Sequence, residues 1–385
     1  MIVYATATLL ACFAAWMAGR DRDHRMVWIV ASALPLIFAA AARWDIGTDV
    51  YFLYHPQFCS VEWMHGGGGP ELSEQLYRPL FDANYRLPLT GIPRDAATIF
   101  WRNFNLEELG YRWLMHGIVA CGGSFRWFLV ITSLLTGALV FTAIWRQSHS
   151  PILAAYFYVT TSNYFLSLNI VRQYLAIGFM LVALTYVLDR RPWKFLVLVA
   201  IGALFHRTIL LALPCWFLAR MNMRPLWGVG AVLVAVAFSF IAEPTLRFLL
   251  PYMGAGFYVR YFDSHFAADG FEWFFFLINL CFMAMGAWYW KRAMRINVLF
   301  RCWYWMTVAG TIALSFSATV PLMKRVNYYF AAPQFLMLPE MLLAEKNVRI
   351  RRWLIVLSIL AFAAETAVAV FWMNKNEPLP YRMAP

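Results

Sequence analysis

The sequence predicts an all-α, polytopic integral membrane protein of about twelve transmembrane helices, two of them short and paired as a hairpin, with one long extracytoplasmic segment. Composition and patterning predict it. Of the 385 residues, 62% are hydrophobic and only 14% are charged, whereas a soluble domain sits nearer half apolar and a quarter charged. The apolar residues gather in runs approaching 20, the length that crosses a bilayer as a helix. A soluble globule of this composition would leave large apolar patches in water. A soluble enzyme, a nucleic-acid-binding module and a secreted disulfide scaffold are therefore excluded, and the lipid bilayer is the first expected partner.

In chain order the candidate spans are 2–19, 26–42, 125–145, 151–168, 170–188, 193–206, 207–219, 225–242, 271–290, 296–316, 328–344 and 352–373. No basic segment precedes the first run, so it reads as a retained anchor rather than a cleaved signal. Short basic connections set the orientation, because Lys and Arg collect on the cytoplasmic side. They lie at 19–25, 189–194, 220–224, 291–295 and 345–352. Placing all of them inside requires 193–219 to be a hairpin of two short helices, and it requires the stretch 43–124 to begin and end outside. Both termini then fall outside and the scheme closes, as a single membrane domain over 1–385. The excess of 32 Lys and Arg over 20 Asp and Glu, a net +12, fits this topology and would also suit an anionic lipid-linked substrate.

The stretch 43–124 is long, aromatic and of mixed charge, with a glycine run at Gly66–Gly69. Loops of this length are usually functional or disordered, and its Trp and Tyr content points to a segment folded on the membrane surface. Residues 106–123 hold an apolar piece too brief to span, expected to be interfacial or re-entrant. Cys59 and Cys121 fall in this region, where a disulfide is allowed; Cys12, Cys215, Cys281 and Cys302 lie in apolar runs and read as packing residues.

Ionisable residues are costly near a membrane, so their positions are informative. In this topology the unusual ones gather outside. Arg43, Asp45 and Asp49 follow the second span; Glu107, Glu108 and Tyr111 open the re-entrant piece. Arg172 and Gln173 begin the span 170–188, His206 and Arg207 sit at the hairpin tip, and Lys324, Arg325, Asn327, Tyr328 and Tyr329 precede 328–344. Arginine forks bind phosphate oxygens in pairs, more strongly in a dry site, and a nearby carboxylate can take the proton of an attacking hydroxyl. The set suits transfer from a phosphate-linked donor. No nucleotide-binding loop, zinc spacing or nucleophile elbow accompanies it. Plainer roles exist for each residue: arginines at span ends reach for headgroups, Asp45 and Asp49 can cap a helix, and Tyr328 and Tyr329 suit an aromatic belt. Glu340 and Glu365 lie inside spans and call for partners.

Arg43 followed by Gly47-Thr48-Asp49 with Tyr51 and Tyr54, Glu108 with Gly110-Tyr111, Val171-Arg172-Gln173 with Ala176, and Phe205-His206 together resemble the EpsG family, in order and in spacing. The likeness runs from about Arg43 to Leu213 and fades beyond. That family comprises polytopic proteins of bacterial exopolysaccharide clusters related to Wzy-type O-antigen polymerases. The resemblance implies a fold similar to the GT-C glycosyltransferases, in the bacterial inner membrane with the site facing the periplasm. It implies transfer of a growing glycan from undecaprenyl pyrophosphate onto a lipid-linked repeat unit, without nucleotide sugar, metal or other cofactor. Flippase and chain-length-regulator partners would be in keeping. By the same resemblance Asp49, Glu108, Arg172 and His206 are catalytic, with Asp49 or Glu108 as base. Arg43, Gln173, Arg207, Arg325, Tyr328 and Tyr329 would bind pyrophosphate or glycan; Arg325 rests on the topology, and Arg207 stands where relatives often carry a small polar residue.

Other functions share parts of this pattern. An O-antigen-type ligase would use the same donor but usually carries its long periplasmic loop late in the chain, whereas here the long loop is early. A lipid-linked oligosaccharide flippase would spread polar residues through both leaflets, often in repeated halves. A membrane acyltransferase using His206 as base would need that residue at the cytoplasmic face.

Overall fold

The computed structural model describes residues 2–44, 46–66, 108–252, 270–375 and 378–383, with 259 and 262. Apolar sequence becomes helix here because a bilayer offers no water to backbone N–H and C=O groups, which must bond within their own segment. In chain order the helices are α1 (Ile2–Arg20), α2 (Arg25–Ala41), α3 (His55–His65), α4 (Leu109–Ala120), α5 (Phe125–Gln147), α6 (Pro151–Thr160), α7 (Asn163–Asn169) and α8 (Val171–Leu188). They continue with α9 (Pro192–Ala203), α10 (Cys215–Leu218), α11 (Leu226–Tyr252), α12 (Trp273–Ile296), α13 (Phe300–Ser315), α14 (Met323–Ala331), α15 (Gln334–Leu343) and α16 (Val348–Thr366). Among the described residues, six helices are long and apolar enough to cross a membrane: α1, α5, α8, α11, α12 and α16 with its continuation to Val370. The protein is an all-α polytopic membrane protein. Shorter apolar helices at 25–41, 151–160, 192–203, 207–218 and 334–343 fill the intervals.

Two stretches expected as single helices are broken. The run 151–168 divides into α6 and α7 at Ser162, which takes a left-handed φ of 61°, and the side-chain amide of Asn163 closes the turn on Thr161 Oγ1 at 2.8 Å. The run 328–344 divides at Pro333, which has no N–H to give and whose ring crowds the preceding turn. Its first half, α14, starts five residues earlier than expected, directly after the left-handed Leu322, φ 64°. After 193–219 the chain returns to the end of α8 from which α9 departs, since Arg220 Nη2 donates to Val187 O at 3.5 Å, but the two short helices expected there are not both formed. The second limb departs from the expected helix: it is a 3₁₀ turn, Arg207–Ala212, followed by the four-residue α10.

Helix α8 is central, buried over 78% of its apolar window, whereas α16 is buried over 17% and faces outward. Helix–helix association in lipid draws on close packing and polar contacts, each about 0.6 kcal/mol on average, rather than on apolar burial. Such contacts run through the bundle: Gln147 Nε2 to Thr185 Oγ1 at 2.9 Å, Asn297 Nδ2 to Gln147 O at 2.6 Å, and His149 N to Glu340 Oε1 at 2.8 Å. The last supplies the partner that Glu340 requires.

A second, smaller core sits where α8 begins. Tyr54 and Phe58, Tyr111 and Met115, and Phe125 and Phe128 interlock there, with Tyr54 edge-on to Tyr111 at 5.8 Å and Phe125 stacked on Phe128 at 5.4 Å. This core fixes α3 and α4 over the start of α8. The C-terminal strand β2 (Arg382–Met383) pairs antiparallel with β1 (Arg43–Trp44), Arg43 opposite Met383, and Tyr381 Oη donates to Ala39 O at 2.9 Å. The segment after α2 is thereby tied down as it enters the same end of the bundle.

Candidate active site

Two glycines bring the polar segments together. At Gly47 the backbone takes φ +95°, and a Cβ would stand 3.0 Å from Leu168 O and 3.2 Å from Asn169 Cα. That close passage lets Thr48 Oγ1 and the Asp49 N–H both donate to Asn169 Oδ1, at 3.1 and 2.8 Å. At Gly110 a Cβ would meet the side chain of Leu204 at 2.8 Å; without one, the Gly110 N–H reaches Leu204 O at 2.9 Å. The start of α4 therefore abuts the end of α9, and Glu108 is delivered beside the hairpin tip.

Arg172 occupies the first turn of α8, where N–H groups lack a partner within the helix. Its own N–H donates to Tyr54 Oη at 3.3 Å. Its guanidinium lies over the rings of Tyr111 and Tyr54, 5.0 and 5.8 Å from their centroids, and Nη1 pairs with Glu108 Oε2 at 2.9 Å. The other oxygen of Glu108 accepts from the Arg207 N–H at 3.4 Å. Gln173, buried, donates from Nε2 to the backbone oxygen of Arg325 at 2.6 Å, which brings α14 alongside α8. The Arg325 side chain is exposed and makes no hydrogen bond among the described residues. From the same face of α14, Tyr329 Oη lies 3.1 Å from His206 Nδ1, and Thr208 Oγ1 lies 2.6 Å from that nitrogen.

Electrostatics separates the roles these groups can take. Burial, reinforced by Arg172 and Arg325, pushes His206 down from 6.5 to about 3. The imidazole is neutral near pH 7, and in the tautomer whose Nδ1 accepts from one of these hydroxyls the proton is on Nε2. Burial pushes the Asp49 carboxyl up from 3.8, against the pull of Arg325 and Arg172. Asp49 is thus a carboxylate of increased basicity facing two guanidinium groups, while Glu108 is already engaged by one.

The structure gathers Asp49, Glu108, Arg172, Gln173, His206, Arg207, Arg325 and Tyr329 of the expected site. Asp45 and Glu107 lie outside the described residues. Arg43 is not brought to the cluster: it is buried at 2% exposure, with Nη1 donating to Ala40 O and Ser133 Oγ and Nη2 to Leu168 O. An arginine beside a span end looks the same in sequence whether it meets ligand or bare carbonyls. Tyr328 and Lys324 point about 100° round α14 from Tyr329 and Arg325, Tyr328 edge-on to Phe275 at 6.4 Å and Lys324 paired with Glu272 at 2.5 Å; Tyr328 remains in the field of Asp49 and Arg325 and so borders the cluster. Cys59 and Cys121 are free thiols.

Sequence reasoning missed Asn169, which positions Asp49, and Thr208, which shares His206 with Tyr329. The signal for Asn169 was its place directly before Ile-Val-Arg-Gln, a polar residue at the end of an apolar run. Among the described residues no group of three or more His, Cys, Asp or Glu is placed to hold a metal ion.

No curated protein and no solved structure matches the chain. The model of the EpsG family matches residues 26–383. The likeness therefore does not fade after Leu213; the matched range takes in α14, with Arg325, Tyr328 and Tyr329. Matched over nearly its whole length, the chain belongs to the EpsG family.

Proposed function

We propose that this protein is a polysaccharide polymerase that moves a growing glycan from a polyprenyl pyrophosphate carrier onto the next lipid-linked repeat unit, without metal. Family membership supports the polymerase role. The observation that carries the chemistry is the clamped guanidinium of Arg172, held by Glu108 and two tyrosine rings, with Asp49 and Arg325 in its field. In the transfer, the bond between the sugar's anomeric carbon and the pyrophosphate oxygen breaks, and its electron pair leaves with the pyrophosphate. Arg172, held in place by Glu108 and the two rings, binds that developing charge as a preorganised cation, and Arg325 adds a second positive charge beside it. A hydroxyl of the acceptor attacks the anomeric carbon and Asp49 takes its proton. The neutral His206 donates from Nε2, orienting donor or acceptor.

By the same reading the enzyme sits in the bacterial inner membrane, with a GT-C-like arrangement of about twelve spans and this site on the periplasmic face. The basic connections at 19–25, 189–194, 220–224, 291–295 and 345–352 support that orientation.

The test uses purified protein in nanodiscs with the host's undecaprenyl-pyrophosphate repeat unit, following glycan length by gel. A ladder that disappears in Arg172→Ala, while the variant still inserts, is the expected result. An unchanged ladder in that variant overturns the site; no ladder from folded wild-type protein overturns the polymerase.

A further inference from the structure

Helix α14 has two working faces. Residues four apart share a helix face, so Arg325 and Tyr329 look toward His206, while Lys324 and Tyr328, about 100° round the helix, reach Glu272 and Phe275, with Tyr328 still in the field of Asp49 and Arg325. Beside that second face lies a cavity of about 70 Å³, on a scale where a single water needs about 10–15 Å³. It is walled by the α6–α7 turn, α12, α14, α15 and α16, with Lys375 at its edge. Asp49, Glu108, Arg172 and His206 do not line it.

Its lining has a defined polarity. Gln334 Nε2 donates to Asn279 Oδ1 at 2.7 Å, and Asn279 Nδ2 donates to Asn327 Oδ1 at 2.9 Å. This relay runs in one direction and ends with the Asn327 amide nitrogen as a donor at the cavity. Across from it stands Glu365. One carboxylate oxygen accepts from Ser162 Oγ at 3.3 Å, and the other is buried without a hydrogen-bond partner. A buried polar atom left unpaired is costly, and a ligand hydroxyl would pair it. Phe275 and Tyr328 form an aromatic corner, centroids 6.4 Å apart and planes at 78°. The charges balance: Lys375 lies beside Phe275 at 4.2 Å and offsets Glu365, and Lys324 is paired with Glu272.

We propose that this cavity is a second carbohydrate site, flanking the reaction centre on the Tyr328 side of α14, that takes an uncharged, hydroxyl-rich sugar ring. Asn327 donates to one hydroxyl, Glu365 accepts from another, and the Phe275–Tyr328 corner covers the apolar face of the ring. A mostly apolar hollow with a few convergent polar groups is the usual form of a small-ligand site. A phosphate would meet the Glu365 carboxylate and is disfavoured, so the two faces of α14 sort the substrate: pyrophosphate on the Tyr329 side, glycan on the Tyr328 side. The choice of glycan rests on the polymerase reading; the polarity of the pocket does not.

The test is binding of phosphate-free, uncharged oligosaccharides to the full-length protein in nanodiscs, by saturation-transfer NMR and titration calorimetry. Wild type is expected to bind. Glu365→Ala and, separately, Phe275→Leu are each expected to weaken binding by at least about tenfold, with Arg172→Ala binding like wild type. No binding by wild type overturns the site, as does binding that both pocket variants leave intact. Binding abolished by Arg172→Ala also overturns it, since the sugar then sits at the reaction centre. Because these ligands carry no pyrophosphate, failure here is distinct from failure of the elongation assay, which reads Arg172.

Discussion

Arg172 Nη1 and Glu108 Oε2 stand 2.9 Å apart, joining the first turn of α8 to the start of α4 across 64 residues of sequence. Both side chains are largely withdrawn from water, at 11% and 10% exposure. In that setting the carboxylate does more than neutralise charge. With the two tyrosine rings it fixes the plane of the guanidinium, the preorganisation that the proposed phosphate binding needs. Removing one partner of such a buried pair costs about 3–5 kcal/mol, which makes the contact structural as well as functional.

Arg172→Lys is expected to lower elongation about 10²- to 10³-fold, the range for losing one preorganised donor, because an ammonium cannot stack as a plane over Tyr111 or present a fork. Glu108→Gln keeps an oxygen beside Nη1 and is expected to lose only about tenfold. Asp49→Asn removes the base and is expected to fall furthest. Initial rates from the ladder assay rank the three. If Glu108→Gln fell as far as Asp49→Asn, with Arg172 still in place, Glu108 would be the base.

The pH profile separates Asp49 from His206. A base works deprotonated, so elongation falls as pH drops through the Asp49 value, and burial puts that acid limb above the ordinary 3.8. His206, held near 3 rather than 6.5, stays neutral across the working range and contributes no limb at 6.5. In His206→Gln the rate is lowered while the limb keeps its position. A limb at 6.5 that vanished in this variant would assign the proton to His206 instead.

Apolar length made the helices legible, since hydrophobic run and bilayer thickness are the same quantity seen twice. The breaks were less so. Pro333 can be read from its missing N–H, but the left-handed Ser162 carries no mark in sequence. The pair Tyr328-Tyr329 reads as one aromatic feature; a helix turns about 100° per residue, so one ring reaches His206 and the other Phe275. Arg43 misleads for a related reason: a guanidinium satisfied by Ser133 and Leu168 O has partners 90 and 125 residues away in sequence. The motif glycines were visible as letters, and only the approach of Leu168 and Leu204 explains them.

Those glycines make their own test. Gly47→Ala puts a Cβ into a left-handed position 3.0 Å from Leu168 O and is expected to cost about 1–3 kcal/mol. It also draws Thr48 and Asp49 away from Asn169, so elongation falls with stability. At Gly117, in the last turn of α4, an added Cβ would meet nothing within 4 Å; Gly117→Ala is expected to gain about 0.5 kcal/mol with activity unchanged. Thermal unfolding in detergent, read beside the ladder assay, distinguishes the pair. Equal behaviour of the two variants would remove the argument for a required turn at Gly47.

The depth of His206 decides the orientation. Helix α9 has 12 residues and rises about 18 Å, less than the roughly 30 Å of a hydrocarbon core. In the proposed orientation a helix of that length brings the hairpin tip short of the outer surface. In intact cells, with the native cysteines replaced, His206→Cys is expected to react from the periplasmic side with a small thiosulfonate and poorly with a bulky maleimide. Arg224→Cys, beyond the hairpin's return, should label only after permeabilisation. Reaction of residue 206 from the cytoplasm would turn the arginines toward the wrong compartment for a periplasmic polymerase, and a cytoplasmic acyl or phosphoryl donor would become the natural substrate of the same cluster.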